Sequence, residues 1–334
     1  MPPRPRTMHE FSDRAGLSRP TVSKYFNDPR SVRASTRARI EAAMAELDWR
    51  PNFYALNQNR RRAKTVGILV PQLGDPFYTE IARRLEMRVM EAGFWPLLLS
   101  SHGSPELEAR AIDTLRSLKV AGALVAPLGD ATDAGRLERL AADVPVVTFD
   151  TPLHDGLAFV GTDNAGSMGL LVRFLCDTGA PPCFLGFPDL NATSRERRDT
   201  YLAAMAGRGH EPLLLPVAPG GWDFERQGHA AAAAALASGG FPSPAVLCAS
   251  DRLAFGVLAA CHESGLRVGE GLRVAGHDDH PLSEFACPAL TTAAQDYAGL
   301  SEGAVEALLG MIAGGSGQAR ARRLPATLIR RRSA

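Results

Sequence analysis

The hydrophobic positions of the chain follow two different patterns, and the change between them falls near residue 65. Before that point, apolar residues recur every three or four positions, which is the spacing of amphipathic helices. After it, short continuous apolar runs alternate with longer amphipathic stretches. Continuous apolar strands between helices are typical of parallel sheets covered on both faces. The pattern therefore predicts an all-α N-terminal domain followed by an α/β region of doubly wound parallel sheets.

The N-terminal pattern predicts three short helices around a shared core. Phe11 lies on the apolar face of the first helix, and Gly16 stands where a helix ends in a left-handed residue. Ser18 is predicted to cap the second helix, and Pro20 falls in its first turn, where a missing N–H costs little. A third helix is predicted from Ser35. Helices joined by such a tight turn predict a helix-turn-helix module.

Charge separates the same two regions. Residues 1–64 carry 14 Lys and Arg against 6 Asp and Glu, whereas residues 65–334 carry 23 against 30. The formal net charge of +1 for the whole chain hides this difference. A basic module attached to a slightly acidic region indicates nucleic-acid binding. The alternative left open by the pattern alone is a structural three-helix subdomain that does not contact DNA.

The second predicted helix carries polar side chains that its core does not need. Arginine can bind guanine with two hydrogen bonds, while serine, threonine and lysine reach phosphate oxygens. The helix is therefore predicted to enter the major groove of DNA. The residues concerned are Arg19, Thr21, Ser23 and Lys24.

The α/β region contains two successive runs of alternating strands and helices, with a boundary near residues 161–163. Two such runs predict two similar lobes, and ligands of these sheets bind where the strands end. A cleft between the lobes is therefore the expected ligand site. The predicted strands are Val66–Val70, Pro96–Ser100, Ala121–Ala126, Val144–Phe149, Cys183–Phe187, Pro212–Val217, Ala245–Ala249 and Leu272–Gly276.

Several sequence features restrict where the protein acts. The N-terminus lacks an apolar signal segment, and no apolar run approaches the roughly 18 residues that span a bilayer. The cysteines show no paired spacing and are expected to be reduced core thiols. We therefore expect a cytoplasmic protein with no membrane contact. The cysteines are Cys176, Cys183, Cys248, Cys261 and Cys287.

No motif in the sequence predicts a reaction. The glycine-rich dinucleotide pattern, the P-loop and the nucleophile-elbow pattern are all absent. His277 and His280 do not have the spacing of a helical zinc pair, and no third ligand is evident. The expectation is a protein without catalytic residues, cofactor or metal.

Residues near the predicted strand ends suit a sugar or polyol. Carboxylates and arginine can form paired hydrogen bonds with neighbouring hydroxyl groups, and an aromatic ring can cover the C–H face of a sugar. Competing interpretations are that Phe77 is only a core residue, that Asp251 is only a helix cap, and that Arg195 and Arg198 are solvated charges. The candidate ligand-binding residues are Asp75, Phe77, Asp150, Arg197, Trp222, Ser250, Asp278 and Gln295.

The N-terminal motifs resemble those of the LacI/GalR family of bacterial transcriptional repressors. The resemblance rests on Thr7–Asn27, Ser31–Val32, Thr36–Arg37, Glu41–Leu47 and Arg50–Asn52. It implies operator DNA as partner and assembly as a homodimer, since the chain carries no C-terminal leucine heptad. The DNA-binding residues that follow from pattern and resemblance are Thr7, Ser18, Arg19, Pro20, Thr21, Ser23, Lys24, Asn27, Thr36, Arg37, Asn52, Tyr54, Ala55 and Gln58.

The resemblance implies that residues 52–64 form a hinge helix that enters the minor groove on the operator. A leucine of the family wedges open the central base step at the position of Gln58, which is polar here. Leu56 lies about 200° round a helix from Gln58 and cannot replace the wedge in the same register. The degree of DNA kinking is therefore open.

Four further motifs resemble the regulatory core of the family, which is similar to periplasmic sugar-binding proteins. They are Gly74–Tyr78, Ser194–Arg198, Gly276–Asp279 and Gln295–Tyr297. Trp222 lies where the family often has an aromatic lid, and Ser250 where many members have asparagine. The expected divisions are a DNA-binding domain of residues 1–51, a hinge of 52–64 and a core of 65–334. Within the core, the first lobe is expected at 65–161 and 294–322, and the second at 162–293 and 323–334.

The sequence thus predicts a DNA-binding regulator, by resemblance a repressor, controlled by a small sugar or polyol between the lobes. One alternative is a cytosolic sugar-binding module that does not regulate through DNA. Another is a regulator that uses a purine corepressor, as some relatives do. A sugar-processing α/β enzyme is a third, and no motif supports it.

Overall fold

The computed structural model describes residues 4–51, 63–153, 156–187, 191–218, 221–315 and 321–334. The chain divides after Lys64 into two compact units, and each is described separately below. Four predicted DNA-binding residues, Asn52, Tyr54, Ala55 and Gln58, lie outside the described residues.

The first unit is a three-helix module. Its helices are α1 (Met8–Arg14), α2 (Arg19–Asn27) and α3 (Ala34–Glu46), with a 3-10 turn at Pro29–Ser31. Its core consists of Phe11, Val22, Ile40, Met44 and Trp49. The rings of Phe11 and Trp49 stack with centroids 4.2 Å apart, so Trp49, which the sequence analysis did not place in the core, fixes the end of the module.

The predicted turn between the first two helices is confirmed. Gly16 has a φ of 60°, in the left-handed region that glycine adopts without strain. The Ser18 hydroxyl accepts a hydrogen bond from the Thr21 amide and thereby caps α2, with Pro20 in the first turn. α3 begins at Ala34, one residue earlier than expected.

The second unit contains two sheets, which define its two lobes. The first lobe has the strand order β10-β5-β4-β3-β1-β2, with every pairing parallel. The strands are β1 (Thr65–Val70), β2 (Trp95–Ser100), β3 (Gly122–Val125), β4 (Val146–Phe149), β5 (Ala158–Thr162) and β10 (Ala321–Leu324). The helices of this lobe are α4 (Pro76–Glu91), α5 (Pro105–Ser117), α6 (Ala134–Asp143) and α11 (Tyr297–Ile312).

The second lobe has the strand order β11-β9-β8-β7-β6, parallel except for the antiparallel pair β11 and β9. Its strands are β6 (Cys183–Leu185), β7 (Ala245–Cys248), β8 (Arg273–Asp278), β9 (Thr291–Ala294) and β11 (Thr327–Ile329). Its helices are α7 (Asn164–Thr178), α8 (Ala192–Ala206), α9 (Phe224–Ala237) and α10 (Asp251–Glu263). The prediction of doubly wound parallel sheets is confirmed.

The chain crosses between the sheets at residues 163, 295–296 and 325–326. The last crossing lies after Leu324, two residues beyond the lobe boundary expected from the sequence, because β10 pairs with β5 in the first sheet. Two of the four residues of β10, Arg322 and Arg323, are charged, so the hydrophobic pattern did not indicate this edge strand.

The predicted strand Pro212–Val217 is wrong. The segment makes only an isolated bridge between Phe184 and Leu214, with hydrogen bonds from Phe184 N to Leu213 O and from Leu215 N to Phe184 O. Proline has no N–H, so the prolines at both ends of this run prevent a longer ladder.

The cysteines carry free thiols. Cys183, Cys248 and Cys261 are buried, as expected, whereas Cys176 is half-buried and Cys287 is exposed, contrary to the expectation that all lie in the core. Within the described part of the chain, no helix is both long and apolar enough to cross a bilayer.

Candidate DNA-binding surface and ligand-binding cleft

The predicted groove-facing residues of the helical module lie on its surface. Arg19, Pro20, Lys24 and Asn27 of α2 are exposed, and so are the capping residues Thr7 and Ser18. The remaining predicted contacts, Thr21, Ser23, Thr36 and Arg37, are half-buried. The core of the module therefore uses the opposite face, with Val22 at its centre.

Two hydroxyl groups of this surface also support the fold. Ser18 Oγ and Thr21 Oγ1 lie 2.7 Å apart and form a hydrogen bond at the start of α2. Tyr25, which was not among the predicted residues, donates a hydrogen bond from its hydroxyl to Glu41 Oε1 at 3.1 Å and joins α2 to α3. The orientation of α2 is thus fixed independently of Arg19 and Lys24.

A cleft in the second unit brings together all eight predicted ligand-binding residues. The cleft encloses a cavity of about 60 Å³. Its lining also includes residues that the sequence analysis did not single out: Tyr78, Phe187, Asn191, Thr193, Ser194, Phe224 and Arg252. Tyr78 and Ser194 belong to motifs that had been recognised, whereas Arg252 carried no such signal.

Strand ends position the polar side chains of the cleft. Asp75 follows β1, Asp150 follows β4, Ser250 follows β7, and Asp278 ends β8. Because these parallel strands all run toward the cleft, their carboxyl ends deliver polar side chains to it from both lobes. Gln295 lies in a segment that crosses between the lobes.

Arg197 and Asp278 form the most buried polar network of the cleft. Asp278 Oδ1 accepts hydrogen bonds from Arg197 Nη1 at 3.3 Å, His277 Nδ1 at 2.9 Å and Gln295 Nε2 at 2.7 Å. Burial opposes the charge of Asp278, but Arg197 and the two hydrogen bonds outweigh it and lower its pKa. Each of these three hydrogen bonds ends on Oδ1 and none on Oδ2.

Arg197 is itself held by its own lobe. Its Nε donates to Asn164 Oδ1 at 2.8 Å, and its Nη1 donates to Ala249 O at 2.7 Å. The side chain is 4% exposed in the structure, so the guanidinium cannot swing into solvent without breaking these bonds. An arginine fixed in this way presents a rigid donor to a ligand hydroxyl.

The first lobe contributes two carboxylates. Asp75 caps α4 by accepting a hydrogen bond from Phe77 N at 2.9 Å, and burial raises its pKa to about 6 despite the nearby charge of Arg252. Asp150 accepts a hydrogen bond from Tyr78 Oη at 2.7 Å, and burial raises its pKa as well. Both groups are therefore poorly hydrated hydrogen-bond acceptors.

An aromatic wall closes one side of the cleft. The centroid of Trp222 lies 6.1 Å from that of Tyr78 and 5.6 Å from that of Phe224. Trp222 also packs on Gly103 of the first lobe, where an added Cβ would approach Trp222 Cδ1 to 2.2 Å. Glycine at position 103 therefore leaves room for the Trp222 ring, which spans the gap between the lobes.

The interpretation of Asp251 as a helix cap is wrong. Ser250 caps α10, since its hydroxyl accepts a hydrogen bond from Leu253 N. Asp251 points inward and accepts hydrogen bonds from His280 N at 2.8 Å and Thr292 Oγ1 at 2.6 Å, and burial raises its pKa to about 8. It fixes the loop after β8, next to Asp278.

In the described part of the chain, no group of three or more His, Cys, Asp or Glu side chains is placed to hold a metal ion. His277 is buried, and its second nitrogen is 2.8 Å from Ser167 Oγ. Burial lowers the pKa of His277 to about 4, which leaves the ring neutral at physiological pH. His277 therefore serves to orient Asp278.

Comparison with known proteins identifies relatives across the whole chain. The family model described as "Bacterial regulatory proteins, lacI family" matches residues 7–52, and a "Periplasmic binding protein-like domain" model matches residues 182–334. The ribose operon repressor of Escherichia coli (strain K12) is 31% identical over 310 residues, which cover 91% of this chain and 92% of that protein.

Solved structures also match the chain over nearly its whole length. A crystal structure of the Lac repressor dimer, bound to operator and the anti-inducer ONPF, superimposes with a TM-score of 0.84 and 28% identity over 99% of each chain. The complex of the transcriptional regulator CelR with cellobiose gives a TM-score of 0.72 and 27% identity, covering 99% of this chain and 100% of that one.

Proposed function

The chain belongs to the LacI family of bacterial regulatory proteins, and we propose that it is a homodimeric repressor whose operator affinity changes when a small sugar or polyol occupies the cleft. The observation that supports this proposal most is the cleft itself, where eight residues predicted from strand ends and motifs line one space. Relatives of this chain are repressors of a ribose and a lactose operon.

The charge of the cleft favours a neutral hydroxylated ligand. Three carboxylates, Asp75, Asp150 and Asp278, face two arginines, Arg197 and Arg252, and each arginine is already paired with an aspartate. An anionic sugar phosphate or sugar acid would meet no unpaired cation among these five groups. A neutral ligand with adjacent hydroxyls can donate hydrogen bonds to the carboxylates and accept them from Arg197.

A purine corepressor remains the second candidate ligand. HTH-type transcriptional repressors PurR, at 28–30% identity, are also relatives of this chain. The tilted rings of Trp222, Tyr78 and Phe224 could stack on a planar base. The carboxylates Asp75 and Asp278 favour the sugar, because a purine has fewer donor groups than a polyol has hydroxyls.

The proposed DNA contacts follow from the exposed face of α2. Arg19 would bind base edges, Lys24 and Ser23 would bind phosphates, and Thr7 and Arg37 would position the module. We propose that residues 1–51 form this DNA-binding domain, that 52–64 form the hinge, and that Asn52, Tyr54, Ala55 and Gln58 of the hinge contact the minor groove. The core would then comprise residues 65–334.

Apolar side chains on both lobes support assembly as a homodimer. Met87 and Met90 on α4 and Trp95 at the start of the edge strand β2 are 47%, 48% and 60% exposed. On the second lobe, Leu282 and Phe285 are 58% and 75% exposed. Exposed apolar groups of this size indicate a protein interface, and a symmetric dimer would bury both patches.

The proposed coupling runs through the arrangement of the lobes. A ligand that binds one arrangement more tightly than the other shifts the population toward it. The hinge joins the core at Thr65, where β1 begins, so a change in the first lobe alters how the two hinges of a dimer are spaced. Ligand and operator affinity must then change each other by the same factor.

Two other functions are less well supported. A sugar-binding module without DNA regulation would leave the basic surface of α2 unexplained. An enzyme would need a reacting group, and the most enzyme-like cluster, around His277 and Asp278, uses its hydrogen bonds to hold Arg197 and Gln295. The relatives are repressors, and we propose that this protein has no catalytic residue and acts in the cytoplasm with the DNA.

A thermal-shift panel on the full chain tests the ligand class. Neutral pentoses, hexoses, disaccharides and polyols are compared with sugar phosphates, sugar acids and purines, because a ligand of the folded state raises the melting temperature by mass action. We expect a shift from a neutral sugar or polyol that disappears in Arg197→Ala. The matched control is Arg208→Ala, which breaks an exposed ion pair with Asp177 in the same lobe. A shift from anionic sugars alone would contradict the proposed ligand class.

A further inference from the structure

An arginine outside the predicted site joins the two lobes across the cleft. Arg252 belongs to the first turn of α10 in the second lobe, is 8% exposed and lines the cleft. Its Nη1 donates to Asp75 Oδ2 at 3.0 Å, and Asp75 caps α4 in the first lobe. The pair is therefore a buried ion pair between lobes, in contact with the space that the ligand would fill.

The second lobe holds Arg252 in one orientation. Its Nε and Nη2 donate to the two carboxylate oxygens of Glu225 at 2.7 and 2.6 Å, and Nη2 also donates to Trp222 O at 2.9 Å. The guanidinium lies 4.9 Å from the centroid of the Phe224 ring. A bidentate carboxylate, a carbonyl and an aromatic face together fix the plane of the group, so the position of Nη1 is set before it meets Asp75.

The helices that carry these partners are tightly packed. A Cβ on Gly228 of α9 would lie 2.1 Å from Leu253 O, and one on Gly256 of α10 would lie 2.1 Å from Glu225 O. The two backbones therefore touch at glycine, and α9 and α10 are closely packed against each other. Glu225 and Arg252 keep their spacing whatever the first lobe does.

Asp75 has few other means of staying in place. Its Oδ1 accepts a hydrogen bond from the backbone N–H of Phe77 in α4, and its Oδ2 accepts one from Arg252 Nη1. Burial removes most of its contact with water. A buried carboxylate without its cation is strongly disfavoured. Opening the cleft would break the contact with Arg252, and so the closed arrangement is favoured even before a ligand arrives.

We propose that Arg252 is a positioning residue that holds the cleft closed through Asp75 and sets the Asp75 carboxylate for ligand hydroxyls. The link between the lobes rests on the contacts above alone. The role toward the ligand rests additionally on the proposed function, since it requires Asp75 to face a bound sugar. Arg252 would thus fix both the starting arrangement of the regulator and the geometry of its ligand site.

The test measures hydrogen exchange in the full-length, ligand-free protein. Arg252→Gln removes the charge in the second lobe, and the readout is the exchange rate of amides in residues 73–80 of the first lobe. We expect exchange there to become at least tenfold faster, because α4 loses its fixed cap when Asp75 loses its partner. The exchange rates of the β3 amides should not change, and this result would show that the first lobe is still folded.

The matched control breaks another ion pair between the lobes. Arg195 of α8 pairs with Asp130 of the first lobe, but the two side chains are 36% and 65% exposed. Exposed pairs contribute little, so Arg195→Gln should change exchange in residues 73–80 by less than twofold. If Arg252→Gln changes exchange no more than Arg195→Gln does, the link between the lobes is refuted.

Two further variants keep the test decisive if Arg252→Gln folds poorly. Arg252→Lys retains a positive charge near Asp75 but loses the bidentate hydrogen bonds to Glu225. We therefore expect an intermediate increase in the exchange rates of residues 73–80. Asp75→Asn removes the same bond from the other side, and the double variant Asp75→Asn with Arg252→Gln should exchange no faster than the single variants. Additive effects in the double variant would show that the two residues act independently and would overturn the proposal.

D-ribose serves as the ligand probe. If it binds the wild type, Arg252→Gln should weaken binding at least tenfold and Arg195→Gln less than twofold, as measured by calorimetry. Unchanged binding in Arg252→Gln would refute its role toward the ligand. If D-ribose does not bind, that result bears on the proposed ligand class, while the exchange rates still decide whether Arg252 links the lobes.

Discussion

The DNA-facing helix and the ligand cleft use charged residues in opposite ways. Arg19 and Lys24 stand exposed on α2, and the three-helix core beneath them packs without their help. In the cleft, Arg197 and Arg252 are 4% and 8% exposed, and each is held by several acceptors. We therefore expect function to be separable from stability on the helix, whereas in the cleft the same bonds are expected to serve both.

Arg197→Ala should have the largest effect, and it tests the cleft side of this comparison. The substitution leaves the buried Asp278 without its cation, for which a loss of about 3–5 kcal/mol in the free energy of unfolding of the core is expected. Chemical denaturation measures this loss, and ligand binding should disappear with it. Arg208→Ala, in an exposed pair of the same lobe, should cost less than about 1 kcal/mol. Equal effects of the two variants would contradict the account.

Phe11→Ala tests whether stability of the helical module depends on its core and not on its charged surface. Phe11 is fully buried and stacks on Trp49, so its removal should cost the module about 3 kcal/mol. Circular dichroism should report partial loss of helix, and DNA binding should fall with it. Ligand binding by the core should be retained. Loss of both activities would show that the two units do not fold separately.

Arg19→Ala tests the complementary claim that the surface of α2 affects binding and not folding. We expect sequence preference for the operator to relax and affinity to fall by on the order of 1–3 kcal/mol, with no change in melting temperature. Lys24→Ala is the matched comparison, since it should weaken binding to all sequences alike and reduce the salt dependence by about one phosphate contact. Fluorescence anisotropy on specific and scrambled duplexes separates the two. Unchanged specificity in Arg19→Ala would refute the assignment of α2 as the recognition helix.

His277→Gln tests how a buried side chain of the cleft makes stability depend on pH. Burial lowers the pKa of His277 to about 4, so between about pH 6.5 and 4 the folded protein binds fewer protons at this site than the unfolded chain. The free energy of unfolding is therefore not reduced by this histidine above about pH 6.5 and falls as the pH drops toward 4. At pH 5 the loss is about 2 kcal/mol. The His277→Gln variant should lose less stability on acidification than the wild type does. His262→Gln, which removes an exposed imidazole, is the control, and a parallel decline in all three proteins would count against the assignment.

The residues found from the sequence are those whose chemistry is local. Ser18 and Gly16 indicate a turn because a cap and a left-handed glycine act within a few positions. Asp150 and Asp278 follow recognisable strands, and parallel strand ends converge by topology. The eight predicted cleft residues came from this rule and from motifs, and their contact with a ligand stays a prediction.

What the sequence did not reveal depends on contacts between distant positions. Arg252 has the pattern of a surface charge at the start of a helix, and only folding brings it to Asp75, 177 positions away. Trp49 is adjacent to a helix end, and its place in the core depends on stacking with Phe11. The edge strand Ala321–Leu324 has almost no apolar pattern, because one strand edge and its charged side chains face outward.

A single titration tests whether the cleft and the operator site are coupled. A duplex selected from a random library by the full-length protein would be titrated with and without the sugar that raises its melting temperature most. We expect a two-fold symmetric site whose dissociation constant changes at least about fivefold when the sugar is present, which corresponds to roughly 1 kcal/mol of coupling. Selection of no preferred sequence, or a dissociation constant that the bound sugar leaves unchanged, would contradict it.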